Sequence, residues 1–193
     1  RTGYAASTTV SHGAGTFEHN LINLPTYAFG GTTINAVSGD VAGQDLTITG
    51  GGSLGNNGRY VQFLVNMSGL QNLNVTYTAR RSSTGFNSNQ LSYSVDGVNF
   101  ANFGAPYTPN LDNHAPRSND LSAVTALNNQ PSVYIRITLS GATADNGNNR
   151  FDNFQFRAQR SVYQVTDGML AQVDTTNPFL ISFNVFDTYS GIA

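Results

Sequence analysis

The chain has 193 residues, of which 39% are hydrophobic and only 10% charged, and its formal net charge at pH 7 is −2. It has no lysine, cysteine or tryptophan, a single glutamate at Glu18, and 20 glycines. This composition excludes thiol nucleophiles, lysine Schiff bases, paired-glutamate acid–base chemistry and disulfide or lysine–asparagine cross-links, and it offers no electrostatic basis for binding nucleic acid or an acidic membrane.

Apolar residues recur at period two along most of the chain, and helical periodicity is nearly absent. After an N-terminal arm over 1–14, the segments 24–29, 32–37 and 45–49 are short strand candidates. The run from Gly50 to Gly58 is a polar turn. A strand rather than a helix follows it and no lysine is available, so it is not a phosphate loop. Residues 60–65 read as a buried strand. In 73–79, Leu73, Val75, Tyr77 and Ala79 alternate with Asn74, Thr76 and Thr78, as in a half-buried strand. Residues 90–103 predict a hairpin, in which Leu91, Tyr93 and Val95 run out, Asp96-Gly97 turns, and Val98, Phe100 and Phe103 return. A long loop with Pro106, Pro109 and Pro116 spans 104–119, and 120–127 predicts one helical turn capped by Asp120. Val133, Ile135, Ile137 and Leu139 then share one strand face, with Tyr134, Arg136 and Thr138 on the other, and Phe151, Phe154 and Phe156 mark a last core strand. Many short strands separated by Gly/Asn-rich turns predict an all-β antiparallel sandwich over 1–158.

Residues 159–193 read as a C-terminal strand extension. Val162, Tyr163 and Val165, then Asp167-Gly168, then Met169, Leu170 and Val173 suggest a second hairpin. In 178–187, Phe179, Ile181, Phe183 and Val185 fall on one face and Leu180, Ser182, Asn184 and Phe186 on the other. Leaving four such side chains in water would cost on the order of 6–12 kcal/mol, so the strand must be covered. Either it completes its own sandwich, or it is donated to a neighbouring copy through Phe179, Ile181, Phe183, Val185 and Phe186. The second arrangement would build a head-to-tail homopolymer. The arm from Thr2 to Val10 is a less apolar donor. No apolar run reaches the ~18 residues of a membrane span.

The stretches Ala79-Arg80-Arg81-Ser82-Ser83-Thr84-Gly85, Leu91 to Phe100, Asp120-Leu121-Ser122, Val133 to Ile137 and Asn148 to Phe154 together resemble one family. It comprises secreted jelly-roll β-sandwich proteins of environmental bacteria, many carrying a C-terminal cell-surface sorting tail. The resemblance spans roughly residues 15–158. It implies a jelly-roll sandwich, export to the extracellular space or cell surface, and no enzyme activity. The family's tail includes a Pro-Glu-Pro motif, which 159–193 lacks because the sole glutamate is Glu18. A chain beginning at Arg1 is the expected form of an exported protein after processing, and equally of a trimmed one. The resemblance also implies a structural Ca²⁺ held between an acidic residue near the first strand and an Asp in the last. Glu18, Asp152 and the Asn149 amide are of the type such a site needs, and a salt bridge from Arg150 is the plainer use of these carboxylates. Asp145-Asn146-Gly147-Asn148-Asn149 has cation-loop composition that is equally that of an ordinary turn.

His12, His19 and His114 show no metal spacing, and a Ser–His–Asp set built from His114 and Asp112 lacks a nucleophile-elbow sequence. Sugar sites favour flat aromatic platforms. Without Trp, Tyr27, Tyr60, Tyr107 and Tyr134 are the candidates, each also a natural strand residue. The sequons at Asn66 and Asn74 fall in or beside strands and carry no assigned role. The sequence therefore points to a non-catalytic, secreted structural protein assembling with copies of itself into a filament. The alternative is a monomeric carbohydrate-binding module of jelly-roll type that takes a polysaccharide.

Overall fold

The computed structural model describes residues 14–23, 25–161 and 179–183, with backbone alone for 26–29 and 179–183. Two sheets pack face to face as a jelly-roll sandwich. The first has the order β1 (Gly15–His19), β4 (Arg59–Val65), β10 (Val133–Ser140), β6 (Ser88–Ser94) and β7 (Ala101–Asn102), all antiparallel. The second runs β2 (Thr26–Phe29), β3 (Gln44–Thr49), β11 (Asn148–Arg160) and β5 (Leu70–Arg81). Along β5 lie β8 (Asn110–Leu111), in parallel, and β9 (Ala115–Asp120), antiparallel.

Alternation places the core. Val61, Phe63 and Val65 of β4 and Val133, Ile135, Ile137 and Leu139 of β10 point inward. They meet Leu46 and Ile48 of β3, Leu73, Val75 and Tyr77 of β5, and the phenylalanines of β11. Phe63 lies between the sheets, with its ring 4.5 Å from Phe154 and 5.2 Å from Phe156, while Tyr77 stacks on Phe154 at 4.8 Å.

Strand β11 is longer than the 151–156 segment and breaks its own alternation. Its pairing with β5 shifts register between Asp152 and Gln155, where Asn153 adopts a left-handed φ of 51°. Asn149 and Phe151 face the core before this bulge, and Phe154, Phe156 and Ala158 after it. One extra residue thus changes the parity of the inward face.

Four expectations are corrected. Residues 32–37 form no strand, since Asn35 sits at φ 59° and the loop bonds to side chains of β11. The 90–103 hairpin has a wide turn, because Asp96 Oδ1 accepts Val98 N–H and Asn99 N–H at 2.8 Å and leaves β7 with two residues. The 104–119 loop contains β8 and β9, with Pro116 on a strand that has a partner on one side. The turn in 120–127 shrinks to a single 3-10 turn at Thr125–Leu127 without a side-chain cap, and Asp120 instead caps Ser122 N–H at 2.9 Å.

β12 (Phe179–Phe183) pairs antiparallel with β11 of its own chain, from Phe154↔Phe183 to Ala158↔Phe179, next to the stretch of β11 that pairs with β3. This is the intrachain arrangement of the two considered for 178–187. The side chains of Phe179, Ile181 and Phe183, the residues Val185 and Phe186, and the 162–173 hairpin lie outside the described residues.

Phe154 is fully buried at the aromatic junction. Phe154→Ala is expected to lower unfolding stability by about 3–5 kcal/mol in urea titrations. A loss below about 1 kcal/mol would show that this junction does not join the sheets.

Candidate functional site

The two outward faces of the sandwich are built oppositely. On the seven-stranded sheet, alternation turns Asp45 and Thr47 of β3, Thr78 and Arg80 of β5, and Arg150 and Asp152 of β11 away from the core. The loop that follows β2 closes over them. Asp45 is fully buried, with Arg150 Nη1 at 3.6 Å, Arg80 Nη2 at 3.8 Å and His114 Nε2 at 3.4 Å, and its Oδ1 accepts Thr47 Oγ1–H at 2.9 Å. A side chain at position 30 would put its Cβ 2.8 Å from Arg150 Nη1 and 2.9 Å from Asp45 Oδ2, so any larger residue there would displace the tips of the ion-pair cluster.

Asp152 fastens the same loop. Its Oδ2 accepts Thr32 N–H at 2.8 Å and its Oδ1 accepts Asn153 N–H at 2.8 Å. Asn153 Nδ2 donates to the carbonyls of Thr32 and Ile34 at 2.6 and 2.8 Å, and Gln155 Nε2 donates to that of Asn35. Burial pushes the Asp152 carboxyl up to about 6, against the lowering effect of its two backbone donors. Around Asp45 and Asp152 this face is sealed by its own loop.

On the five-stranded sheet one register row crosses every strand: Glu18 of β1, Gln62 of β4, Arg136 of β10, Ser92 of β6 and Asn102 of β7. Gln62 joins the first three. Its Nε2 donates to Glu18 Oε2 at 3.0 Å, and its Oε1 accepts Arg136 Nε–H and Nη2–H at 3.0 and 2.7 Å. The Arg136 guanidinium lies over two rings, 3.7 Å from the Tyr60 centroid and 3.4 Å from that of Phe100. Tyr134, two residues along β10, faces the same way and packs under Gly97, whose position leaves only 3.0 Å between an added Cβ and the Tyr134 ring. Glu18 is exposed, and Tyr60, Tyr134, Arg136 and Phe100 are half-buried. The row reaches solvent through the Glu18 carboxylate, the Arg136 guanidinium and the flat rings, while Gln62 and Ser92 are buried beneath them and hold the row in register. Such groups recognise hydroxyl-rich ligands through charge-assisted hydrogen bonds and apolar contact.

The candidate calcium ligands do not converge. Glu18 belongs to this open row, Asp152 to the seal on the opposite sheet, and Asn149 points into the core, where its Nδ2 donates to Asn89 Oδ1 at 3.1 Å. Among the described residues, no three His, Asp or Glu side chains are grouped to hold a metal. Arg150 takes the plainer role foreseen for it, although its partner is Asp45. Asp145 serves a turn, accepting Ser53 and Leu54 N–H.

His114 contacts Gly30 O and Asp45, and Asp112 is not its partner. His19 sits on β1 beside Phe17, and burial lowers its pKa. His12 and the Tyr27 side chain are outside the described residues. Tyr107 packs against the core under Arg117, which lies 4.5 Å from its ring centroid. Tyr60 and Tyr134 are thus the two tyrosine candidates that reach the open row. A second, wholly non-aromatic groove lies on the other sheet, lined by Asn72, Asn74, Asp120, Ser122, Ala123 and Gln159.

No family model matches the chain, and no curated protein does. Solved structures do. The CBM22-1 xylan-binding domain of Paenibacillus barcinonensis Xyn10C superposes with a TM-score of 0.52 at 9% identity, over 76% of this chain and 87% of that one. A CBM61 domain solved with β-1,4-galactotriose gives 0.41 at 8% identity, over 72% and 85%. The sugar-binding C-terminal domain of EclA gives 0.35 at 10%, over 79% and 81%. At such identities the likeness shows the fold alone.

The raised pKa of Asp152 has a definite sign. A carboxyl with a folded-state pKa near 6 and an ordinary value of 3.8 favours the native state when protonated. Its contribution is present below about pH 4 and lost as pH rises through 6. The stability of the wild type relative to Asp152→Asn should therefore rise by about 2–3 kcal/mol from pH 7 to pH 4 in denaturant titrations. A flat difference would disprove the burial argument.

Proposed function

We propose that this chain is a non-catalytic carbohydrate-binding module whose ligand lies on the outward face of the five-stranded sheet. The observation that carries this is the Glu18–Gln62–Arg136 row with Tyr60, Tyr134 and Phe100 beside it. It is a strip of planar and charged groups, with Glu18 exposed and Tyr60, Tyr134, Arg136 and Phe100 half-buried, on a sandwich that shares its fold with a xylan-binding domain. At a strand spacing of about 4.8 Å, five strands span roughly 19 Å, enough for several sugar units. Low charge, neutral amides and hydroxyls at the surface and the absence of cysteine suit work outside the cell. The filament reading draws no support from β12, whose backbone pairs with β11 of the same chain.

Affinity electrophoresis and calorimetry against soluble plant and bacterial polysaccharides test the proposal. Tyr60→Ala, which removes ring contact, and Gln62→Ala, which releases Glu18 and Arg136 from their fixed positions, should each weaken the retained polysaccharide by about tenfold or more. Asn74→Ala, in the groove on the other sheet, should leave binding unchanged. Retention of no polysaccharide, or loss only with the Asn74 variant, would rule out this face.

A further inference from the structure

Arg136 is a fixed cation with no carboxylate partner among the described residues. A guanidinium carries five N–H groups. Two of them, on Nε and Nη2, go to the single oxygen Gln62 Oε1 at 3.0 and 2.7 Å. The rest, on Nη1 and the second Nη2 position, form the end-on edge of the fork and have no acceptor among the described residues. The planar faces lie against Tyr60 and Phe100, which shed water from the cation and fix its plane.

The carboxylates on adjoining elements are engaged elsewhere. Glu18 accepts from Gln62 on the far side of β4. Asp96, in the turn after β6, spends Oδ1 on Ser94 Oγ–H and on Val98 and Asn99 N–H, and Oδ2 on Asn99 Nδ2–H. Along the row away from Glu18, the neighbours of Arg136 are Ser92 and Asn102, both neutral. Arg80 and Arg150 on the opposite sheet differ, because both reach Asp45.

A preorganised, partly desolvated guanidinium edge matches the two oxygens of a planar carboxylate. We propose that the glycan taken by this face carries carboxylates, as a uronic-acid polysaccharide does, and that Arg136 binds a uronate end-on through Nη1 and Nη2. This rests on the carbohydrate-binding reading above and narrows its ligand class. The exposed Glu18 then contacts hydroxyls of the same or the next sugar, Gln62 holds Glu18 and Arg136 in place from beneath, and Ser92 and Asn102 leave the uronate side of the row free of repelling charge.

The test is calorimetry of the intact chain with oligogalacturonides and alginate oligosaccharides, with the same oligosaccharides after carboxyl reduction, and with neutral xylo- and cello-oligosaccharides. At least one uronate series should bind at least about tenfold more tightly than its carboxyl-reduced form, with the gap narrowing as salt is raised. Arg136→Gln should abolish the gap, and Arg136→Lys, which keeps the charge and loses the fork, should retain only part of it. The reduced oligosaccharides probe the unaltered protein, so the result does not depend on how the variants fold. Equal binding of the acidic and reduced forms, or binding of neutral oligosaccharides alone, would overturn the acidic ligand class and leave the carbohydrate-binding reading standing. Binding of no saccharide at all would overturn both.

Discussion

The extra residue in β11 is the constraint on which both layers of this sandwich depend. Up to Phe151 the strand faces the core with odd-numbered residues, and from Phe154 with even-numbered ones. The bulge lets Phe151, Phe154 and Phe156 all enter the aromatic junction with Phe63 and Tyr77. A regular strand would turn either Phe151 or the later pair to the outer face of the sheet, away from the core. The residues at the turn of parity, Asp152 and Asn153, are the ones that hold the loop 30–35 against the outer face of the sheet. One backbone irregularity thus packs the core on one side and seals the sheet on the other.

That seal accounts for the asymmetry between the two outer faces. Asp45 among two arginines and a histidine is expensive to bury, and it is tolerated because the loop around Gly30 closes over a cluster in which opposite charges lie within 4 Å. Where that loop lies, the face has no room for a chain-like ligand. The five-stranded sheet is built differently. Its outward residues are held instead by one another, through Gln62 and through the rings flanking Arg136. Side chains locked in this way lose little freedom on binding, which favours affinity on an otherwise shallow surface.

Period-two alternation makes the fold class and most strands legible in the sequence. It works wherever one face is buried, as in Val133–Leu139 and Leu73–Ala79. It fails where side chains capture backbone. Thr32-Thr33-Ile34 has strand composition, yet Asn153 takes the carbonyls of Thr32 and Ile34 from 119 or more positions away. Asp96-Gly97 marks a turn correctly, but Asp96 accepts several local donors and widens it. The bulge itself leaves a trace in the three-then-two spacing of Phe151, Phe154 and Phe156. The site is half visible. Tyr60, Tyr134 and Glu18 stand out by residue type, although Glu18 matches calcium chemistry when read from sequence. Gln62 and Phe100 give no sign, because their role comes from cross-strand register between segments tens of residues apart.

Arginine does two different jobs on the two outward faces of this lysine-free chain. On the sealed sheet, Arg80 and Arg150 are charge partners of Asp45, and their positive charge is spent inside the fold. On the open sheet, Arg136 is supported by aromatic faces and a neutral amide, which orient a guanidinium without neutralising it. A surface that needed Arg136 only for packing would be served as well by a neutral long side chain of similar reach, such as Gln or Met. Holding a full charge in a partly desolvated row, with the adjoining carboxylates engaged elsewhere, lowers native-state stability unless something outside the fold completes the pair. The edge of Arg136 left without an acceptor among the described residues is therefore where the proposed uronate would recover interaction energy.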